Sequence, residues 1–228
     1  MYRRLARRAT VLVALSTHVA QRLRDQGLVR AGQPVIVLRH PPLAFGPLPP
    51  PPFVHGGAPK LLFFGRLLAY KGLDLLSDAL QLLGPDLLEV RIVGSGPDSE
   101  ALGVLRGLPF AMVENRWIAE DEIAPIIAWA DILVLPYREA SQSGAAAAAI
   151  AAGRWVIATN VGGLLEQLSD EKRAILCPPD ATSLAAAIRG LCETRPVSRG
   201  HGANPEAAWQ EFAKNLIAVL DTEIPAQR

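Results

Sequence analysis

The string G-R-L-L-A-Y-K-G at residues 65–72 carries two cations, Arg66 and Lys71, at the junction of an apolar run and a helical pattern. Two fixed cations there can clamp a diphosphate, arginine through its planar fork and lysine as a point charge. They would offset the charge on a departing nucleoside diphosphate, in place of a metal ion. The chain has four lysines against nineteen arginines, so a lysine here hints at a geometric need. Cations at a helix start oppose the helix dipole, which makes an ornamental pair poorly placed. The plainer reading is a surface pair.

Three more strings follow apolar runs. Gly94, Ser95, Gly96 and Pro97 form a turn whose glycines permit close backbone approach. It is not G-x-G-x-x-G, so a dinucleotide fingerprint is absent. In P-Y-R-E-A-S-Q-S-G, Ser141, Gln142, Ser143 and Gly144 open an alanine-rich helix, whose free amides and hydroxyls suit an anion. A plain serine cap would serve as well. Glu139 can accept hydrogen bonds from sugar hydroxyls or pair with Arg138's neighbours on the surface. In N-V-G-G-L-L-E, Gly162 and Gly163 allow a tight turn, and Glu166 falls in the first helical turn.

Composition narrows the classes. A net charge of +1 on 228 residues gives no general case for nucleic-acid binding. Basic charge is local: Arg3, Arg4, Arg7, Arg8, Arg22, Arg24 and Arg30 face one acid, Asp25, within residues 1–30. Such a patch suits an anionic lipid surface or a phosphorylated substrate, or is a solvated helix face. Cys177 and Cys192 form no disulfide framework, which fits a reducing cytosol. His18, His40, His55 and His201 have no ligand spacing, so no metal is expected. No apolar run reaches the ~20 residues of a membrane span. The stretch Thr10–Leu15 is short and flows into a polar segment, which argues against a signal peptide.

The elements that must position these strings are legible. Residues 10–40 read strand (Thr10–Leu15), helix (Thr17–Gln26, capped by Ser16 and ended by Gly27), strand (Pro34–Leu38). The proline-rich 41–52 is a stiff linker and domain boundary. Strands are then expected at Lys60–Gly65, Glu89–Gly94, Phe110–Val113, Asp131–Tyr137, Trp155–Thr159 and Ala174–Cys177. Helices fall at Gly72–Leu83, Ser99–Gly107, Asp121–Ala130, Ser143–Ala152, Leu164–Leu168 and Thr182–Thr194. Apolar strands alternating with helices imply an α/β fold, a parallel sheet covered on both faces. Such sheets bind ligands at the carboxyl ends of their strands, where the four strings lie. A last helix, Pro205–Leu220, has Asn204 as its cap.

Together, FFGRLLAYKGLD (63–74), VGSGP (93–97), ADILVLPYREASQSG (130–144), AAGRWVIATNVGGLLE (151–166) and PPDATSLAAAI (178–188) resemble the carboxyl-terminal domain of glycosyltransferase family 4. The resemblance implies the Rossmann-like, nucleotide-sugar-binding half of a GT-B fold at residues 53–203. Residues 1–52 then resemble the last strand–helix–strand of the acceptor domain plus the linker, and 204–228 the crossover helix and tail. It implies a retaining transferase without a bound metal or other cofactor. Its donor would be a UDP- or GDP-sugar, and its acceptor a saccharide or lipid-linked molecule. Arg66, Lys71 and Glu139 would be catalytic. Gly65, Gly94, Ser95, Gly96, Pro97, Ser141, Gln142, Ser143 and Gly144 would bind the donor. Many members carry a Glu-x7-Glu pair, for which this chain has Ala140 and Ala148. The acceptor domain's first strands are absent, so a complementary amino-terminal domain, self-association, or an inactive assembly subunit are alternatives. A cytoplasmic location is expected from the cysteine usage, and peripheral contact with the inner face of a membrane from the basic patch.

Overall fold

The computed structural model of the protein describes residues 2–196 and 204–223. His201 and the tail at 224–228 lie outside them. The chain opens with α1 (Tyr2–Arg8), β1 (Leu12–Ala14), α2 (Thr17–Asp25) and β2 (Val35–Val37), with β1 and β2 paired in parallel. The helix α1 was not expected; only its run of arginines is evident in the sequence, and it stands exposed. Ser16 caps α2 by accepting from the Val19 amide at 3.1 Å, and Gly27 follows the helix with φ 63°.

Six strands then build one parallel sheet: β3 (Lys60–Phe64), β4 (Glu89–Gly94), β5 (Ala111–Asn115), β6 (Ile132–Leu135), β7 (Trp155–Thr159) and β8 (Ala174–Cys177). The crossovers are α3 (Leu73–Gln81), α4 (Glu100–Gly107), α5 (Glu120–Trp129), α6 (Gly144–Ala151) and α7 (Gly162–Leu168), with α8 (Ala181–Thr194) closing the unit. The order is β5-β4-β3-β6-β7-β8. Every strand and helix expected between residues 60 and 194 is present, with ends shifted by a few residues. Continuous apolar runs arise because both sheet faces are covered: all of β6 is buried. The alanines of α6 bring that helix close, Ala146 to Ala149 being buried.

The order reverses between β3 and β6. From β3 the chain leaves toward β4, and from β6 toward β7, so a crevice opens above their carboxyl ends. At the opposite end, the buried Asp131 carboxylate accepts from the Phe53 amide (2.6 Å), the Lys60 amide (2.9 Å) and the His55 ring (2.8 Å). That fastens the end of the proline-rich segment beneath the sheet. The segment itself runs over α5 and α6: Leu43 donates to the Ala147 carbonyl at 3.2 Å, and the buried Arg154 to the Pro50 carbonyl at 2.6 Å. Helix α9 (Pro205–Glu223) starts at Asn204, whose side chain accepts from the Ala207 amide at 3.2 Å. It attaches through Trp209, which donates to the Pro42 carbonyl at 3.0 Å and meets His40 edge-on.

Candidate active site

The turn after β3 is set by one glycine. Gly72 has φ 68°, and a Cβ there would lie 1.8 Å from the Pro136 carbonyl oxygen. Only glycine lets the 3-10 turn Ala69–Lys71 rest against the end of β6. Arg138 N–H then bonds the Tyr70 carbonyl at 2.9 Å. This docking carries the Lys71 ammonium to 3.7 Å from the Tyr137 ring centroid and 5.3 Å from that of Tyr70. Lys71 has no acidic partner among the described residues, and burial lowers its pKa to about 8.

Tyr137 is wholly buried. Burial pushes its phenol up to about 12, so the ring under Lys71 stays neutral. Its hydroxyl lies 3.2 Å from Ser143 Oγ, which also caps α6 by accepting from the Ala146 amide. An expectation changes here: the Ser143 amide is not free, because it donates to Gln167 Oε1 at 2.9 Å. The Gly144 and Ala145 amides remain without a backbone partner among the described residues. Tyr70, Lys71, Glu139, Ala140, Ser141 and Gln142 enclose an open hollow of about 350 Å³.

Other expected residues take distinct places. Arg66 stands exposed at the end of β3, with no side-chain hydrogen bond or ion pair among the described residues, and does not line this hollow. Glu139 lines the hollow but is ion-paired with Arg22 of α2. Ser141 is exposed, and its carbonyl accepts from Ser16 Oγ at 3.3 Å. Gly94 and Gly96 admit backbone rather than open space: a Cβ would lie 1.7 Å from the Gly65 oxygen and 2.2 Å from the Leu67 oxygen. Ser95 accepts from the Leu67 amide at 2.9 Å, so the turns after β3 and β4 support each other. Pro97 lies on the far side of Tyr70, in a separate apolar hollow of about 510 Å³ with Leu67, Leu73 and Ala101. Arg138 is neutralised by Asp74, whose carboxyl it holds below its ordinary range. Ala140 and Ala148 are both buried.

Two residues, Asn115 and Gln167, and the partner of a third, Glu166, escaped the sequence reading. Asn115, at the end of β5, holds the Gly96 peptide by two bonds of 3.1 Å. Gln167 holds the Ser143 peptide in the same way. Glu166 reaches across to α2, accepting from the Thr17 and His18 amides at 2.7 Å each. Burial pushes its carboxyl up, but these amides outweigh that and keep it below the ordinary value. Gly163 lets α7 approach the loop, since a Cβ would lie 1.8 Å from the Ser141 oxygen. Extending the expected third strand to Asn115 would have exposed the first of the three; the others are long-range contacts with no local signal.

Among the described residues, no group of three or more His, Cys, Asp or Glu side chains is placed to hold a metal ion, and no helix is long and apolar enough to cross a membrane.

The chain is similar to the D-inositol 3-phosphate glycosyltransferase of Jonesia denitrificans, at 30% identity over 71% of this chain and 42% of that one. It is also 30% identical to the 2-deoxystreptamine glucosyltransferase of Streptomyces kanamyceticus, over 72% of this chain and 44% of that one. The chain thus spans less than half the length of these curated relatives. In fold it resembles the sucrose-phosphate synthase of Thermosynechococcus elongatus, with TM-score 0.77 and 22% identity over 99% of this chain and 61% of that one. The Anabaena protein HepE in complex with UDP and glucose gives TM-score 0.76 at 19% identity, over 96% and 65%. The family model described as "Glycosyl transferases group 1" matches residues 58–194, more than half of the chain and the whole six-stranded sheet, so the protein belongs to that family, with the fold of the carboxyl-terminal half of a GT-B protein.

Proposed function

We infer that the chain is the nucleotide-sugar-binding part of a retaining glycosyltransferase using a UDP- or GDP-linked donor. One observation carries this reading: Lys71, half-buried and without a counter-anion among the described residues, sits over a neutral ring at the lip of an open hollow where the sheet order reverses. A desolvated cation with no partner is a cost to the fold. An anionic ligand offsets it. The unpaired Arg66 and the free amides at the start of α6 favour a diphosphate.

In transfer, the bond from the anomeric carbon to the diphosphate oxygen breaks. A bond to an acceptor hydroxyl forms on the same face, and the hydroxyl proton ends on the leaving diphosphate. Lys71 and Arg66 offset the charge that develops there, so no bound metal is required. Gln142 and Glu139 serve the sugar hydroxyls, Glu139 exchanging its bond to Arg22 for one to the donor. The turn at Gly94–Pro97, braced by Gly65, belongs to the nucleotide end, and Ser141–Gly144 to the sugar and phosphates. A neighbour of the same fold in complex with UDP and glucose supports the donor class.

On this reading residues 1–52 are the acceptor-side part, 53–203 the donor domain and 204–228 the crossover helix and tail. The acceptor, a saccharide or lipid-linked hydroxyl, enters from the side of α2. The exposed arginines of α1 favour a cytoplasmic protein touching the anionic inner face of a membrane. Calorimetry with UDP and GDP in the presence of a chelator tests the reading. One nucleotide should bind, and Lys71→Ala should weaken it roughly 10- to 100-fold, the worth of a charge-assisted hydrogen bond. No heat with either nucleotide removes it.

A second reading has its own observation. The β1–β2 pair is a two-stranded parallel sheet with Val13 and Val37 exposed, and such sheets are stable when extended and covered. The chain would then be a nucleotide-binding assembly subunit, completed by acceptor-side strands or by a second copy. Sugar transfer by the purified chain alone would count against this version.

A further inference from the structure

The loop facing the hollow is held from behind by a residue outside the hollow. Gln167, on α7, accepts from the Ser143 amide at 2.9 Å and donates to the Ser143 carbonyl at 3.0 Å. The two bonds fix the peptide groups on either side of Ser143, and with them the placement of its hydroxyl. That hydroxyl lies 3.2 Å from the Tyr137 hydroxyl, and the Tyr137 ring lies under Lys71. A continuous chain of contacts therefore runs from Gln167 to the unpaired cation. Ser143 is 3% exposed, so water has little room to replace a lost amide partner.

The residue before Gln167 grips the other unit. Glu166 accepts from the Thr17 and His18 amides at the start of α2. Nearby, the Ser16 hydroxyl reaches the Ser141 carbonyl, and the Gly163 amide the Ala140 carbonyl. Helix α7 thus has one side chain on the amino-terminal unit and the next on the loop that supports the site.

We propose that Gln167 is a positioning residue for Lys71, and that α7 makes the placement of that cation depend on the docked amino-terminal unit. The role of Lys71 toward a diphosphate rests on the function inferred above; the contact chain does not. The primary amide matters because it must both accept and donate. Glutamate keeps the acceptor and turns a second anionic oxygen on the Ser143 carbonyl; leucine keeps the bulk and loses both bonds.

The test follows Lys71 itself in the full chain. Lys60, Lys71, Lys172 and Lys214 are the only lysines, so ¹³C-methylated lysine signals can be assigned and titrated by NMR. In the natural sequence, Lys71 should titrate near pH 8, below the ordinary lysine value of 10.5. In Gln167→Leu the ring shifts, water reaches the ammonium, and the midpoint moves up toward the ordinary lysine value. Gln167→Glu moves it upward as well, and serves if the leucine variant does not fold. Glu166→Gln gives a smaller rise, because α2 is held less firmly. Affinity for UDP or GDP falls about tenfold in Gln167→Leu, with the circular dichroism of the fold retained. An unchanged Lys71 midpoint in both Gln167 variants overturns the proposal, whatever the nucleotide data show. A chain that binds neither nucleotide, yet shows the midpoint moving, defeats the functional reading and leaves the positioning role standing.

Discussion

At the residue scale, the decisive distinction is which cation the fold neutralises. Arg138 and Lys71 both follow strand ends, and the sequence favours Lys71 only through the scarcity of lysine and its spacing from Arg66. The fold pairs Arg138 with Asp74, 64 positions away, and leaves Lys71 over a ring. The Arg66–Lys71 spacing was legible because it is local; the neutralisation was not, because it depends on strand order. A pH dependence follows. Burial lowers Lys71 to about 8, so it is a cation at neutral pH and loses its proton as pH rises past 8. Nucleotide affinity should therefore fall between pH 8 and 10, and binding there should take up a proton, visible as buffer-dependent heat. The stability linkage has a definite sign. The unfolded chain holds this proton up to the ordinary value of 10.5, so Lys71's burial penalty is full below 8 and fades as pH climbs to 10.5. Lys71→Met removes the penalty with little change in shape. It should hold or raise the melting temperature while weakening nucleotide binding.

At the element scale, the six strands were legible because each is an apolar run between helical periods, and their carboxyl ends named most of the site. What escaped were the braces. Asn115 meets Gly96 and Gln167 meets Ser143 across 19 and 24 residues, through neighbouring strand ends that only topology brings together. The helix α1 escaped because seven residues with four arginines show no apolar stripe. Two substitutions test the braces that hold the elements in place. Gly72→Ala drives a Cβ into the Pro136 carbonyl and requires a left-handed residue, so it should cost about 2 kcal/mol or more in urea unfolding. Asp131→Ala leaves the Phe53 and Lys60 amides and the His55 ring without their shared acceptor, at the end of the sheet away from the hollow. It should cost about 3 kcal/mol, with nucleotide affinity nearly unchanged.

At the scale of the whole molecule, the two parts of the chain are unequal. The hydrophobic core cluster is drawn entirely from residue 53 onward; before it, Ala14, Ala20, Pro41 and Pro52 are the buried apolar residues among those described. A chain beginning at residue 53 should keep the parallel sheet by circular dichroism and melt cooperatively, at a lower temperature because the proline-rich cover of α5 and α6 is gone. The amino-terminal unit matters instead through what it touches: Arg22 on Glu139 and Ser16 on Ser141, both on the lining of the hollow, and α2 on Glu166 of α7. Belonging to the group 1 glycosyltransferases explains that arrangement if the hollow takes the donor between two units. The most direct measurement is a crystal structure of the chain with UDP or GDP bound. The diphosphate should lie against Lys71 Nζ, above the Tyr137 ring and before the start of α6. A nucleotide seated instead in the apolar hollow behind Tyr70, with Lys71 still unpaired, would contradict the account.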